Sequence, residues 1–359
     1  MKKFVLAITS LPILLSCVLY STPPLGDTNF PLKKFQSVPI GETIRDIAIG
    51  DTWIAVQTND SIIGLDIDTF ITLWKIDVRV NLFGEGFEIV GDRLVTISED
   101  QKLILVDRKG NKEEKALDDD VTTVVRIPGI YPDYVYVVGG GYWSLEVYDL
   151  AQDKMLWKSK VGRNIGPVFY DPANNIAYLT KGDSITAYEN SSGKILWKKE
   201  NVYGSGALFD SGILYVSASS STEGSFMLAA IEGINQATLW EKDIVRPADI
   251  EASTSTLIGN LLIFIGYGMF AIDKTDGELV WTVPSIGEEF IETPVEFNGV
   301  IYLRENTGTV FAISPEDGTI IGHVKLEERD RSDKVYGGVH SLKDGIVFNT
   351  KNALVIYKP

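Results

Sequence analysis

A tryptophan closes the same short phrase again and again along this chain, at Trp74, Trp157, Trp197, Trp240 and Trp281. The fullest version runs Ala271-Ile272-Asp273-Lys274-Thr275-Asp276-Gly277-Glu278-Leu279-Val280-Trp281. Shorter versions are Gly64-Leu65-Asp66 with Thr69 before Trp74, Val147-Tyr148-Asp149 before Trp157, Ala187-Tyr188-Glu189 with Gly193 before Trp197, and Ala230-Ile231-Glu232 before Trp240. The last four tryptophans stand 40, 43 and 41 residues apart. A fixed period near forty residues means that each unit is one supersecondary element, which buries its apolar surface only against its neighbours. The repeat therefore overrides the two or three independent domains that a length of 359 residues would otherwise suggest.

The units are built of strands. Runs such as Trp53-Ile54-Ala55-Val56-Gln57, Tyr134-Val135-Tyr136-Val137-Val138 and Gly299-Val300-Ile301-Tyr302-Leu303 are rich in β-branched and aromatic residues, are bounded by Gly, Asn, Asp or Ser, and have no helical competitor. Four such strands per forty-residue period select an all-β propeller. Two degenerate units complete the count. Leu105-Val106-Asp107 with Gly110 marks a second unit without its Trp, and Ala312-Ile313-Ser314 with Gly318 marks a seventh, in which Gly322 stands at the Trp position. The last unit has three strands, ending in Ala353-Leu354-Val355-Ile356-Tyr357, while Lys34-Phe35-Gln36-Ser37-Val38 precedes the first blade without one of its own. The expectation is an eight-bladed propeller of four-stranded antiparallel blades, the eighth closed by that N-terminal strand pairing with Leu354 to Tyr357. Seven blades is the alternative count. Closure of the ring removes the free edges of an open sheet.

Composition excludes partners more than it names them. A formal charge of −16, with Lys and Arg scattered, argues against nucleic acid, whose phosphates are held by clustered cations. The single cysteine, Cys17, follows a basic Met1-Lys2-Lys3 and a largely apolar stretch from Phe4 to Ser16. That stretch is too short for a membrane span, which takes about 20 residues, and reads as a secretory signal. Its ending, Leu14-Leu15-Ser16-Cys17, resembles the bacterial lipobox, in which the Cys is diacylated and becomes the mature N-terminus. The alternative is an ordinary cleaved signal with an incidental Cys. The expected organisation is a lipoprotein-type signal over residues 1–17, a flexible tether over 18–33 marked by Pro23-Pro24, Gly26-Asp27 and Pro31, and one propeller over 34–359. Such a protein is extracytoplasmic, anchored through Cys17 on the periplasmic side or the cell surface. Without a further thiol its stability rests on packing.

The phrase Ala-x-Asp-x-x-Thr-Gly-x-x-x-Trp is similar to the PQQ-like propeller repeat, matched best by Ala271, Asp273, Gly277 and Trp281 and next by Ala187, Gly193 and Trp197. The resemblance covers residues 34 to 357. It implies that each Trp, on the outer strand of its blade, docks against the neighbouring blade, so that Trp74, Trp157, Trp197, Trp240 and Trp281 are structural. Two branches of the family differ in chemistry. Quinoprotein dehydrogenases are larger chains that hold PQQ over Ca²⁺, often with a vicinal Cys pair that this chain lacks. In length and lipobox the chain resembles BamB-type lipoproteins, which are eight-bladed, bind no cofactor and scaffold envelope assembly.

Residue inventory points the same way. Two histidines, His323 and His340, and no free Cys cannot build a zinc or copper site of three soft ligands, and no Gly-x-Ser-x-Gly elbow or phosphate loop is present. Acidic pairs such as Asp66 with Asp68 and Asp273 with Asp276 lack the remaining oxygen donors of an EF-hand and belong to the repeat turn. Loops after the Trp strand and loops between the second and third strands emerge on one face. That face collects Arg79, Arg163, Arg246, Arg304 and Arg329 together with Tyr142, Trp143 and Tyr267. Trp143 lies outside the repeat position, and Trp, Tyr and Arg are enriched in binding hot spots. The expected function is a non-catalytic, lipid-anchored scaffold that binds an envelope or secreted protein through this face, with no cofactor, catalytic residue or metal. The alternative is a PQQ-dependent or carbohydrate-active enzyme, or a small-ligand binder, using the central funnel.

Overall fold

The computed structural model describes residues 29–80, 86–116, 126–139, 144–219, 225–245, 254–266, 268–284, 293–305, 308–326 and 338–359. Among them are 32 strands and no helix, sorted into eight four-stranded antiparallel sheets. Blades 1 to 7 are consecutive meanders over residues 44–77, 88–116, 126–160, 165–200, 203–245, 254–283 and 295–325. Blade 8 takes three strands from the C-terminus, Val339–Leu342, Gly345–Asn349 and Ala353–Lys358, and its outermost from the N-terminus, Lys33–Pro39. Lys34 lies opposite Tyr357 and Val38 opposite Leu354. The expected eight blades and their closure are both present, and the count of seven is ruled out. The first strand of each blade is the innermost: Ile44–Ile49 lies against Glu88–Val90 on one side and Val339–Leu342 on the other.

No blade has a core of its own. The buried apolar residues form eight clusters, each shared by two neighbouring blades. In blade 6, Leu262 and Phe264 pack toward Tyr215 and Leu228 of blade 5, whereas Ile263 and Ile265 pack toward Ile301 and Phe311 of blade 7. Successive side chains of a strand point to opposite faces, so a sheet covered on both faces needs apolar residues at every position. This is why the second and third strands read as unbroken apolar runs. Each fully buried Ile, Leu or Phe contributes about 1.5–3 kcal/mol.

The phrase tryptophans fasten one blade to the next. Each indole Nε1 donates to a backbone carbonyl in the third-to-fourth-strand turn of the following blade: Trp74 to Arg108 at 2.8 Å, Trp157 to Asn190 at 2.6 Å, Trp197 to Gly233 at 2.9 Å, Trp240 to Lys274 at 3.0 Å and Trp281 to Pro315 at 2.8 Å. A bulge precedes each of these tryptophans; in blade 6 Ala271 faces Trp281 while Ile272 faces Leu279, leaving Val280 unpaired. Bulges bend a strand and raise its twist. The ring lies flat on the next turn, and the phrase glycine is what admits it. A Cβ on Gly277 would sit 2.7 Å from the Trp240 ring, and its φ of +76° is costly for any other residue. Gly110, Gly193 and Gly318 meet Trp74, Trp157 and Trp281 in the same way.

Where the Trp is missing, so is the glycine. The blade 2 strand Lys112–Ala116 has no bulge and places Glu113 opposite Leu105. Its Lys115 instead pairs with Asp153 in the blade 3 turn, and Asp153 takes the positive φ, 54°, that glycine holds elsewhere. At the seam between blades 7 and 8, Gly322 leaves room for the incoming chain: a Cβ there would lie 2.8 Å from the Asn29 carbonyl and the Phe30 nitrogen. The Phe30 ring then meets Tyr302 and Tyr357 edge-on, at 5.7 and 5.5 Å, and Leu32 is buried in the same cluster. The expected tether through residue 33 therefore differs from the structure at its end. Phe30 and Leu32 pack into the cluster at this seam, which has no tryptophan, and the first strand starts at Lys33. Residues 1–28, including the signal and Cys17, lie outside the described residues.

One turn breaks the pairing of Trp with Gly, since Trp197 faces a turn in which Gln236 holds φ 63°. Gly277→Ala is expected to lower stability by about 2 kcal/mol or more through strain and the displaced indole, whereas Gln236→Gly is neutral or stabilising by about 0.5–1 kcal/mol. Urea unfolding of the two variants beside the parent checks both signs.

Candidate functional site

The meander puts the loop after each outer strand beside the hairpin joining the second and third strands of the same blade. Bonds between the two confirm the shared face: Val78 N donates to Asp60 O at 3.2 Å, Val202 N to Asp183 O at 3.0 Å and Leu326 N to Gly308 O at 3.2 Å. Arg79 stands there, exposed, with Nε 3.1 Å from the Asp60 carboxylate. Arg163 is exposed in the equivalent loop of blade 3. Tyr142, Trp143, Arg246, Tyr267 and Arg329 lie outside the described residues.

Arg304 is a correction. It closes the strand Val300–Arg304 and is 1% exposed, with Nη1 donating to Asn349 O in blade 8 at 2.8 Å. A guanidinium is tolerated inside because it is hydrogen-bonded. It bridges the 7/8 seam, which has no tryptophan, and is no part of the exposed face. Just before blade 1, Glu42 gathers the Lys75 ammonium and the Thr58 and Ser61 hydroxyls, and these donors, Lys75 foremost, hold its carboxyl below the usual range.

The inner strands carry a second set of polar groups that the sequence did not single out. Burial pushes the Asp46 carboxyl of blade 1 up to about 6, and the neighbouring negative charge of Glu88 on blade 2 adds to the shift. Glu88, although exposed on its short strand, is raised in the same direction by desolvation. Beyond it, burial pushes Tyr131 of blade 3 up to about 12; its hydroxyl donates to Val168 O at 2.9 Å, and its ring lies 5.7 Å from that of Tyr170. Two carboxylates on adjacent inner strands thus share the wall of the central channel. His340 stands on the innermost strand of blade 8, beside that of blade 1. Burial holds His340 down to about 4 and therefore neutral at pH 7, and His323 is buried, its ring 5.9 Å from Phe311.

The acidic residues of the repeat phrase act within their turns. Asp273 Oδ1 accepts from the Thr275 amide at 2.8 Å and hydroxyl at 2.6 Å, and Asp66 Oδ1 accepts from the Thr69 amide and hydroxyl at 3.0 and 2.9 Å. These bonds hold both carboxyls below their usual range. Among the described residues no three His, Asp or Glu side chains converge as metal ligands, and no helix is long and apolar enough to cross a membrane.

Eight blades, five of them stapled by an indole onto the turn of the following blade, define a PQQ-like repeat propeller. Within that class the chain belongs to the BamB family: the family model described as outer membrane protein assembly factor BamB matches residues 144–268 and 228–332. Outer membrane protein assembly factor BamB of Yersinia pestis is 20% identical over 192 residues, covering 50% of this chain and 47% of that protein. The Salmonella typhimurium protein of the same name is 23% identical over 193 residues, with the same coverage. The chain spans about half the length of these curated relatives. Among solved structures, BamB from Moraxella catarrhalis superposes with a TM-score of 0.66 at 15% identity, covering 91% of this chain and all of that one. A quinohemoprotein alcohol dehydrogenase from Pseudomonas putida HK5 gives 0.68 at 12% identity, covering 92% of this chain and 76% of that one. At such identities the superpositions report the fold alone.

The channel pair makes a pH prediction. Asp46 is harder to ionise folded than unfolded, so its ionisation removes stability as the pH rises from about 4 through about 6. Asp46→Asn keeps an acceptor for the Ile47 amide. It is expected to be more stable than the parent at pH 7 by up to about 2 kcal/mol, the gap closing as the pH falls toward 4. Denaturant melts across that range give the measurement.

Proposed function

We propose that this protein is a lipid-anchored, non-catalytic scaffold for protein assembly in the cell envelope, holding its partner on the loop face of a rigid propeller. The observation that carries the reading is family membership over residues 144–332. Both curated relatives are named as outer membrane assembly factors. A ring in which every sheet is covered by its neighbours supports the reading physically, because it presents loops from a body that does not deform. The basic and aromatic side chains of that face, Arg79, Arg163, Arg246 and Arg329 with Tyr142, Trp143 and Tyr267, supply the contacts.

The anchor follows from the N-terminus. Cys17 receives the lipid, and the propeller is held on the extracytoplasmic side. A reading as an enzyme or small-ligand binder would use the channel, with Asp46 and Glu88 as its polar groups.

Crosslinking in native membranes, followed by identification of the captured proteins, tests the scaffold. Trp143→Ala with Arg246→Ala is expected to reduce capture about tenfold or more, the effect of losing central hot-spot side chains. Undiminished capture would remove the face from the mechanism. Cys17→Ser is expected to move the protein from the membrane fraction to the soluble fraction, since an acyl anchor gains about 0.8 kcal/mol for each buried methylene.

A further inference from the structure

Blade 8 is the one blade with an excess of positive charge. Over residues 33–39 and 339–358 it carries Lys33, Lys34, Lys343, Lys351 and Lys358 against a single acid, Asp344. Each of blades 1 to 7 has at least as many acidic as basic side chains. The outer strands of blades 3 and 7 also bear lysine without acid, but there acids elsewhere in the blade restore the balance, Glu146 and Asp149 in one, Glu305 and Asp317 in the other.

Four of these lysines gather around an exposed aromatic ring. Lys33 lies opposite Lys358, Lys34 follows on the same strand, and Lys358 pairs at 2.7 Å with Asp344, the residue after Lys343. The register slips between Lys34 and Gln36, which leaves Phe35 as a bulge residue. Phe35 is 59% exposed and is the only exposed aromatic side chain among the described residues. The Lys358 ammonium, 4.4 Å from the ring centroid, holds the ring among the lysines. On blade 7 the corresponding bulge residue, Ile321, is exposed as well. The chain enters between these two outer strands, where Asn29 and Phe30 lie against Gly322.

We infer that this rim of blade 8 rests on an anionic lipid surface, with Phe35 in the interfacial layer and the lysines on the headgroups. The inference rests on the reading of Cys17 as a lipid anchor and adds a second contact and an orientation to it. Position selects a membrane as the occupant. Cys17 stands twelve positions before Asn29, so a lipid there keeps this rim within about 40 Å of the bilayer whatever path those residues take. Charge selects the same occupant and the same blade. A chain with a formal charge of −16 is repelled by anionic headgroups over most of its surface, and its one cationic blade is attracted. An aromatic ring flanked by lysines suits the headgroup layer, where the ring sits in the boundary and the ammonium groups meet phosphate. The loop face lies at the other end of the blades, so this contact leaves it open to a partner.

The test uses the full chain purified from membranes, with a nitroxide attached through Ser37→Cys, an exposed position on the same strand as Phe35. The protein is reconstituted in phosphatidylethanolamine vesicles with about one-quarter phosphatidylglycerol, and the label's collisions with oxygen, which favours lipid, are compared with those with a nickel chelate, which stays in water. The expected result is a lipid-facing label at position 37 and a water-facing one attached through Leu279→Cys, at an exposed apolar residue of blade 6. Lys33→Gln with Lys34→Gln should lower the lipid-facing population at position 37 by about tenfold or more. Phe35→Ser should lower it about tenfold. Lys194→Gln with Lys199→Gln on blade 4 should leave it unchanged, and thermal melts show that the variants are folded. The mass of the N-terminal peptide reports whether Cys17 carries lipid, so failure of the anchor is read separately from failure of the rim contact. A water-facing label at position 37, equal lipid contact at position 279, or equal loss on substitution of blade 4 would overturn the proposal. So would a label shielded from both oxygen and nickel, which marks a protein against the rim.

Discussion

Everything in this molecule depends on contact between neighbouring blades. A four-stranded sheet with apolar residues on both faces has no stable existence in water, and here each face is buried only by the next sheet round. The indoles make that contact directional. Trp157 shows how: stacking on Tyr188, a bond to the Asn190 carbonyl and an open glycine turn fix both the distance and the tilt between blades 3 and 4. A neutral hydrogen bond adds about 1 kcal/mol, less than burial of the ring, but it sets the register in which burial occurs.

The seams without a tryptophan show that the constraint lies in the contact and can be met by other chemistry. Between blades 2 and 3 an ion pair, Lys115 with Asp153, stands beside a cluster containing Val95, Leu105 and Val135. Between blades 7 and 8 the indole's place is shared by Phe30, from the far end of the chain, and by Arg304, hydrogen-bonded to Asn349. Gly322 and Asp153 show the two sides of one pairing: four of the five indoles lie over a glycine, the fifth over the turn of Gln236, and where the indole is gone either partner is free to change.

Much of this was legible in the sequence because it rests on residues that recur. The forty-residue period, the Trp and Gly of the phrase and the unpaired N-terminal run were enough to set blade number and closure. What was not legible depends on single contacts between distant positions. Arg304 looks like a loop arginine until its partner, 45 residues further on, is known. Phe30 and Leu32 sit in a stretch of Pro and polar residues with no period, so nothing local marked them as core. Asp46 and Glu88 are unremarkable acids in sequence, and only their strands' innermost position brings them to one wall. The loop face remained an argument from topology, carried structurally by Arg79 and Arg163.

The strand Lys33–Pro39 precedes every other described strand and is used last, since its partner Ala353–Lys358 follows all the others. During folding it stays an unpaired edge until blades 1 to 7 and the rest of blade 8 have been made, which is when such segments aggregate. Its composition suits that wait. It is the most solvent-exposed strand of blade 8, opens with two lysines, closes with a proline and has one buried residue, Val38. The polarity that makes it a weak strand alone keeps it single until the ring is ready to accept it.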